Sequence, residues 1–209
     1  MLIVRTDHDI NTHYTYEWCN PLIKMAESKG LKVAEIKPKD VNIKNFKAKV
    51  EKLKPSFIFF NGHGSKSAFL DNEKNEFLNC KHANFFKNTI TFARSCDSLK
   101  ELGPKTVEEG CKAFIGYKKE FWIPRLHGME TRPLKDPVAA PVLSSSNIIA
   151  EELISGKNVK EAIYKSLESS SQKILDLIHS NDPYLSATLP ALFSNHSCLG
   201  YEGNGSSKL

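Results

Sequence analysis

Four short, almost unbroken apolar runs constrain this chain more than any other feature. Leu2-Ile3-Val4, residues 56–60 (SFIFF), 89–93 (TITFA) and 113–117 (AFIGY) lack the polar alternation of a strand with one wet face. Each therefore reads as a strand covered on both sides, the pattern of a parallel sheet. Parallel neighbours need crossovers, and helical spacing fills the gaps: Trp18, Leu22, Met25 and Ala26 run up to a Gly30 stop, and Val41, Ile43, Phe46, Val50 and Leu53 run up to Pro55. Residues 31–36 (LKVAEI) alternate as a further strand. Right-handed crossovers then put helices on both faces and functional loops beyond the carboxyl ends of the strands.

The remaining pattern is less regular. Two short pieces, 67–70 and 76–78, predict a hairpin or excursion between Ser65 and Asn88. One short helix is expected from Asp97 and another opened by Pro104. Residues 118–137 carry charges and prolines without a period and predict a long loop, which is uncommon in a compact domain unless it has a role. Helices are expected near 138–155 and 159–179, followed by a segment 183–195 and a last strand near 198–201. Residues 1–202 read as one domain, and the glycine- and serine-rich residues 203–209 as a flexible tail. The tail ends in Ser207-Lys208-Leu209, which in a eukaryote spells a peroxisomal address.

Composition narrows function by exclusion. The net charge of +5 is mild, and the lysines of residues 37–54 sit opposite an apolar helical stripe with no aromatic side chains interleaved. That is a solvated helix face, so no nucleic-acid partner is expected. The apolar runs fall far short of the roughly 20 residues that cross a bilayer. Met1-Leu2-Ile3-Val4 meets Arg5 and Asp7 too soon for a signal-peptide core. No membrane partner is expected, and a cytoplasmic location is. Five cysteines without a C-x-x-C pair argue for free thiols rather than a disulfide framework or zinc ribbon.

Three loops leave carboxyl ends of strands: 6–12, 61–65 (NGHGS) and 94–97 (RSCD). His63 stands on the second and Cys96 on the third. A thiol is a poor nucleophile until it loses its proton, and a neighbouring imidazole can accept that proton and return it to a leaving amine. Cys96 also reads as the start of the following helix, where free N–H groups favour a thiolate. Gly62 and Gly64 would let a substrate backbone approach, and the Gly64 N–H could serve an oxyanion hole.

At these residues the chain resembles the caspase-like cysteine peptidases of clan CD, on the side of clostripain, the gingipains and the bacterial CHAT domains. The resemblance is carried by the apolar strand ending in Asn61-Gly62-His63-Gly64 and by the second ending in Arg94-Ser95-Cys96. Arg5-Thr6-Asp7-His8-Asp9, with Tyr14 and Trp18 beyond, and residues 110–117 (GCKAFIGY) add to it. The caspase signature Gln-Ala-Cys-x-Gly is absent, which sets the chain among distant, prokaryotic-type members. The resemblance implies a caspase-like three-layer α/β sandwich with a mostly parallel central sheet and helices on both faces. It implies His63 as general base and acid, Cys96 as nucleophile, and the N–H groups of Gly64 and Cys96 as oxyanion donors. Asp7 or Asp9, Asn61 and Arg94 fall at its specificity-pocket positions. An aspartate there selects Arg or Lys, whereas Arg94 selects Asp or Glu; cleavage after a basic residue is the expectation. The implied partner is a protein or peptide substrate, alongside regulatory or defence-system proteins, and no cofactor is required.

Two other readings stand beside this one. A catalytically inactive member of the fold would serve as a binding or scaffold module. A metal-dependent hydrolase would use His8, Asp7, Asp9, His13 and His63, although no His-x-x-x-His spacing supports a metal site. Arg125, Arg132 and Lys135 make the long loop a candidate for self-processing, with Phe121 and Trp122 at its opening as either groove wall or core.

Overall fold

The computed structural model describes all 209 residues. Strands β1 (Leu2–Arg5), β2 (Ala34–Ile36), β3 (Phe57–Asn61), β6 (Ile90–Arg94), β7 (Ala113–Tyr117) and β8 (Leu199–Gly203) form one sheet in the order β2-β1-β3-β6-β7-β8; β4 (Ala68–Leu70) and β5 (Glu76–Asn79) pair separately as a small hairpin. All neighbours in the large sheet are parallel except β8, which runs antiparallel to β7 along the edge. The four apolar runs of the sequence supply its four central strands.

Period-two alternation sorts their side chains onto two cores. Ile3, Phe57, Phe59, Ile90 and Phe92 face one side, packed against the helices α2 (Asn20–Ser28), α5 (Ala140–Ile154) and α6 (Val159–His179). Leu2, Val4, Ile58, Phe60 and Phe114 face the other, packed against α3 (Ile43–Leu53), the hairpin, a 3₁₀ segment at Cys80–Phe86 and α4 (Leu102–Glu108). The result is the expected three-layer sandwich, and α3 keeps its lysines in solvent while burying Phe46.

Three regions take a form that the sequence left open or gave otherwise. The first is the tail, residues 203–209. The carbonyls of Gly205 and Ser207 accept from the N–H groups of Lys160 and Val159 at the start of α6, at 2.9 and 3.1 Å, and Leu209 packs on the core. A helix N-terminus leaves such donors unsatisfied, and here the tail satisfies them. The second is the helix expected from Asp97. Residues 96–101 form turns, with Asp97 at φ 56°, and the helix starts only at Leu102. The third is the segment 183–195, which belongs to a helix, α7 (Leu185–Cys198), despite its internal Pro190. No helix is long and apolar enough to cross a membrane.

Candidate active site

Sheet register builds the site. Arg5 pairs with Asn61 and Asn61 with Arg94, a polar row across β1, β3 and β6 at the carboxyl edge. Parallel strands lie about 4.8 Å apart, so the loops that leave β3 and β6 start as neighbours. His63 and Cys96 stand on these loops, two residues beyond the polar row. Both line one cavity of about 760 Å³.

His63 is held from the side. Its Nε2 lies 2.7 Å from Asp9 Oδ2, while Asp9 Oδ1 accepts the Thr12 N–H at 3.0 Å and so caps α1 (Ile10–Trp18). One carboxylate therefore fixes both the helix start and the imidazole. Burial works against its ionisation, but the hydrogen bonds from Thr12 and His63 win and hold the Asp9 carboxyl well below the usual range. With Nε2 committed to Asp9, Nδ1 is the ring nitrogen left for chemistry.

The glycines beside His63 answer to packing as well as to substrate access. A Cβ on Gly62 would meet Thr6 Oγ1 at 2.5 Å, and one on Gly64 would meet Ser95 Oγ at 2.1 Å. Neither position has room for a side chain. The N–H groups of Gly64 and Cys96 donate to no main-chain acceptor.

Cys96 is partly buried, and burial pushes its thiol above the ordinary value. Its one donor from outside its own residue is the Phe121 N–H, 3.4 Å from Sγ. Because residues 96–101 are turns, the helix-terminus assistance expected for the thiolate is missing.

The other expected pocket residues separate. Asp7 faces His13, Oδ1 to Nδ1 at 3.1 Å, and does not line the cavity. Asp9 serves His63 rather than the pocket floor. Asn61 is fully buried beneath the cavity, with neither amide atom hydrogen-bonded. Arg94 alone of the four lines the cavity. Its guanidinium is buried; Nε donates to Ser146 Oγ at 3.1 Å, Nη2 donates to Asn147 Oδ1, and Nη1 has no partner.

Both aromatic residues of the long loop line the cavity. Phe121 also packs back on Tyr117, ring centroids 4.7 Å apart. Trp122 stays half-exposed on the cavity wall, its backbone N–H and C=O both bonded to the Asn195 amide of α7. Arg125 reaches across to Asn11 at the cavity rim. Of the imagined metal ligands, His8, Asp9 and His63 converge, while Asp7 and His13 pair with each other. Sequence reasoning missed the Asp9 and His8 placements; the signal available was that β1 and β3 are adjacent, so their following loops must meet.

No protein-family model matches the chain, and no curated protein does. Solved structures do. The crystal structure of the Arg-specific cysteine proteinase gingipain R (RgpB) aligns at a TM-score of 0.57 and 13% identity, over 98% of this chain and 46% of that one. The complex of the Porphyromonas gingivalis RgpB pro- and mature domains aligns at 0.62 and 11% identity, over 98% and 47%. The fold is caspase-like. The chain spans about half the length of the structures it matches, and at this identity the likeness concerns the fold alone.

Proposed function

We propose that the protein is a cysteine endopeptidase working through His63 and Cys96. One observation carries the reading: an imidazole anchored through Nε2 and a thiol from the adjacent strand open onto the same cavity, beside two unpaired main-chain N–H groups. In the acylation step His63 Nδ1 takes the Sγ proton as sulfur bonds to the substrate carbonyl carbon. The oxyanion is held by the N–H groups of Gly64 and Cys96. The C–N bond breaks as the same proton passes to the leaving amine, giving a thioester. Water then attacks, His63 takes one of its protons, and the C–S bond breaks as that proton returns to Sγ, leaving a carboxylic acid that loses its remaining proton to solvent. Asp9 orients the ring and stabilises its protonated form, so it is a positioning residue.

Cleavage after Arg or Lys is supported by the Arg specificity named for one neighbouring structure and by Asp97 and Glu120 among the cavity residues. A second reading, cleavage after an acidic residue, is favoured by Arg94, whose buried Nη1 has no partner, and by the commitment of Asp7 and Asp9 elsewhere. A positional-scanning panel of fluorogenic peptides on wild type and Cys96→Ala decides both questions. Turnover in wild type only supports the peptidase, and the favoured residue before the scissile bond chooses between the charges. No turnover, with iodoacetamide labelling Cys96 no faster than Cys80, would return the protein to the scaffold reading.

A further inference from the structure

His8 has no role in the chemistry above, yet it is placed with care. Its ring is 8% exposed, neither nitrogen makes a hydrogen bond, and Nε2 points towards Asp9 Oδ2 at 3.6 Å. The ring lies 5.2 Å from that of His63, centroid to centroid. A buried imidazole with both nitrogens idle is costly, because it has given up water without a replacement. One donor atom each from His8, Asp9 and His63 lies within 4.8 Å of the others.

We propose that His8, Asp9 and His63 bind one zinc ion, and that this ion disables His63 by reversing its tautomer. Two imidazoles and a carboxylate are a zinc donor set, with water completing a tetrahedron. At zinc distances of roughly 2.0–2.1 Å, ligand atoms sit about 3.4 Å apart. The observed 2.7 and 3.6 Å separations about Asp9 Oδ2 bracket that value, so small side-chain rotations suffice. Lys74, 60% exposed with Nζ 3.5 Å from Asp9 Oδ2, opposes the ion and has room to swing away; Asp71 nearby adds negative charge.

The consequence for His63 follows from proton count. With Asp9 accepting from Nε2–H, the neutral ring carries its proton on Nε2 and keeps the Nδ1 lone pair as a base. Zinc on Nε2 displaces that proton, and the neutral ring then carries its hydrogen on Nδ1. The base is gone, and no covalent step is needed to remove it. Zinc binding stands apart from the peptidase reading; only the loss of turnover rests on it.

The test uses protein first stripped by a chelator, titrated with zinc and read by calorimetry and by ¹⁵N imidazole NMR. Wild type and Cys96→Ala should each take up one ion, with His63 passing from the Nε2–H to the Nδ1–H form. His8→Ala should weaken binding by more than the roughly 10–100-fold that an outer-shell change costs. If the proposed peptidase turns over, zinc should stop it in wild type and leave His8→Ala active at the same concentration. Binding that survives His8→Ala unchanged, or vanishes in Cys96→Ala, would place the ion on the His63 and Cys96 pair and overturn the proposal. So would the absence of binding, an unchanged tautomer, or stimulation of hydrolysis by zinc.

Discussion

Arg5 and Arg94 stand in one row across the sheet with Asn61 between them, and the protein treats them in opposite ways. Arg5 is saturated: Nε donates to Glu35 at 2.8 Å, Nη2 meets the same carboxylate, and Nη1 reaches both the Tyr16 carbonyl and Asn20 at 2.8 Å. Arg94 is as deeply buried but has only the neutral Ser146 and Asn147, and burial pulls its guanidinium below the ordinary value. Its charge rests against the faces of Phe59 and Phe92, at 5.2 and 6.0 Å from their centroids. Arg5 belongs to the wall of the fold, and Arg94 to the cavity. Arg5 has its carboxylate in contact, whereas Arg94 feels only the field of Glu151, with no ion-pair contact.

Breaking the saturated pair should have the larger effect. Glu35→Gln leaves Arg5 buried with no counter-charge, the case in which loss of one partner costs about 3–5 kcal/mol. Glu35 is 19% exposed, so the low end, about 3 kcal/mol, is expected. Urea unfolding of the variant beside wild type measures it. A loss under about 1 kcal/mol would mean that Arg5 is no better provided for than Arg94, and the contrast would fall.

How much of this was legible in the sequence depends on what each feature rests upon. The central strands were readable because burial on both faces forces apolar residues at every position, and the loops after two of them, carrying His63 and Cys96, open onto one cavity. The hairpin and α6 were readable from period alone. The segment forming α7 was not, since the internal Pro190 interrupts the helical signal of a segment that tertiary packing on α5 and α6 stabilises. Asp9 was assigned to the pocket because its loop leaves the right strand; that it turns to His63 instead is a matter of side-chain direction that linear order does not encode. The turn at Asp97, at φ 56°, likewise depends on a backbone choice the residue type permits but does not impose.

Cys19 offers a second probe, because it lies in the fields of both arginines. Burial pushes its thiol up to about 11, with Arg94 and then Arg5 pulling the other way. The folded protein therefore binds the thiol proton more tightly than the unfolded chain does, and the sign follows. The contribution is fully present below the unfolded value near 9 and is lost as pH rises through about 11. At roughly 1.4 kcal/mol per unit the loss amounts to about 2–3 kcal/mol. Unfolding free energies at pH 8, 9, 10 and 11 should fall accordingly, and Cys19→Ala should flatten the part of the decline that begins near pH 9. A wild-type profile unchanged by Cys19→Ala would detach the thiol from the pair.

The smallest effect on stability is expected where a contact count would suggest a large one. Arg94→Met removes two hydrogen bonds, but Ser146 keeps Tyr117 Oη at 3.0 Å and Asn147 keeps its donation to the Trp18 carbonyl at 2.9 Å, so only the Asn147 oxygen loses its partner. Against that loss of about 1 kcal/mol stands relief from a desolvated charge without a counter-ion. Methionine fills the stem's volume beside Phe59 and Phe92. Unfolding should therefore shift by no more than about 1 kcal/mol in either direction. On the second reading, cleavage after an acidic residue, turnover of such peptides should fall by the roughly 10- to 150-fold that a charge-assisted hydrogen bond supplies. The contrast with Glu35→Gln is the point of the measurement: if Arg94→Met costs as much stability as Glu35→Gln while leaving peptide preference untouched, Arg94 is a second structural arginine and the cavity takes its specificity from Asp97 and Glu120.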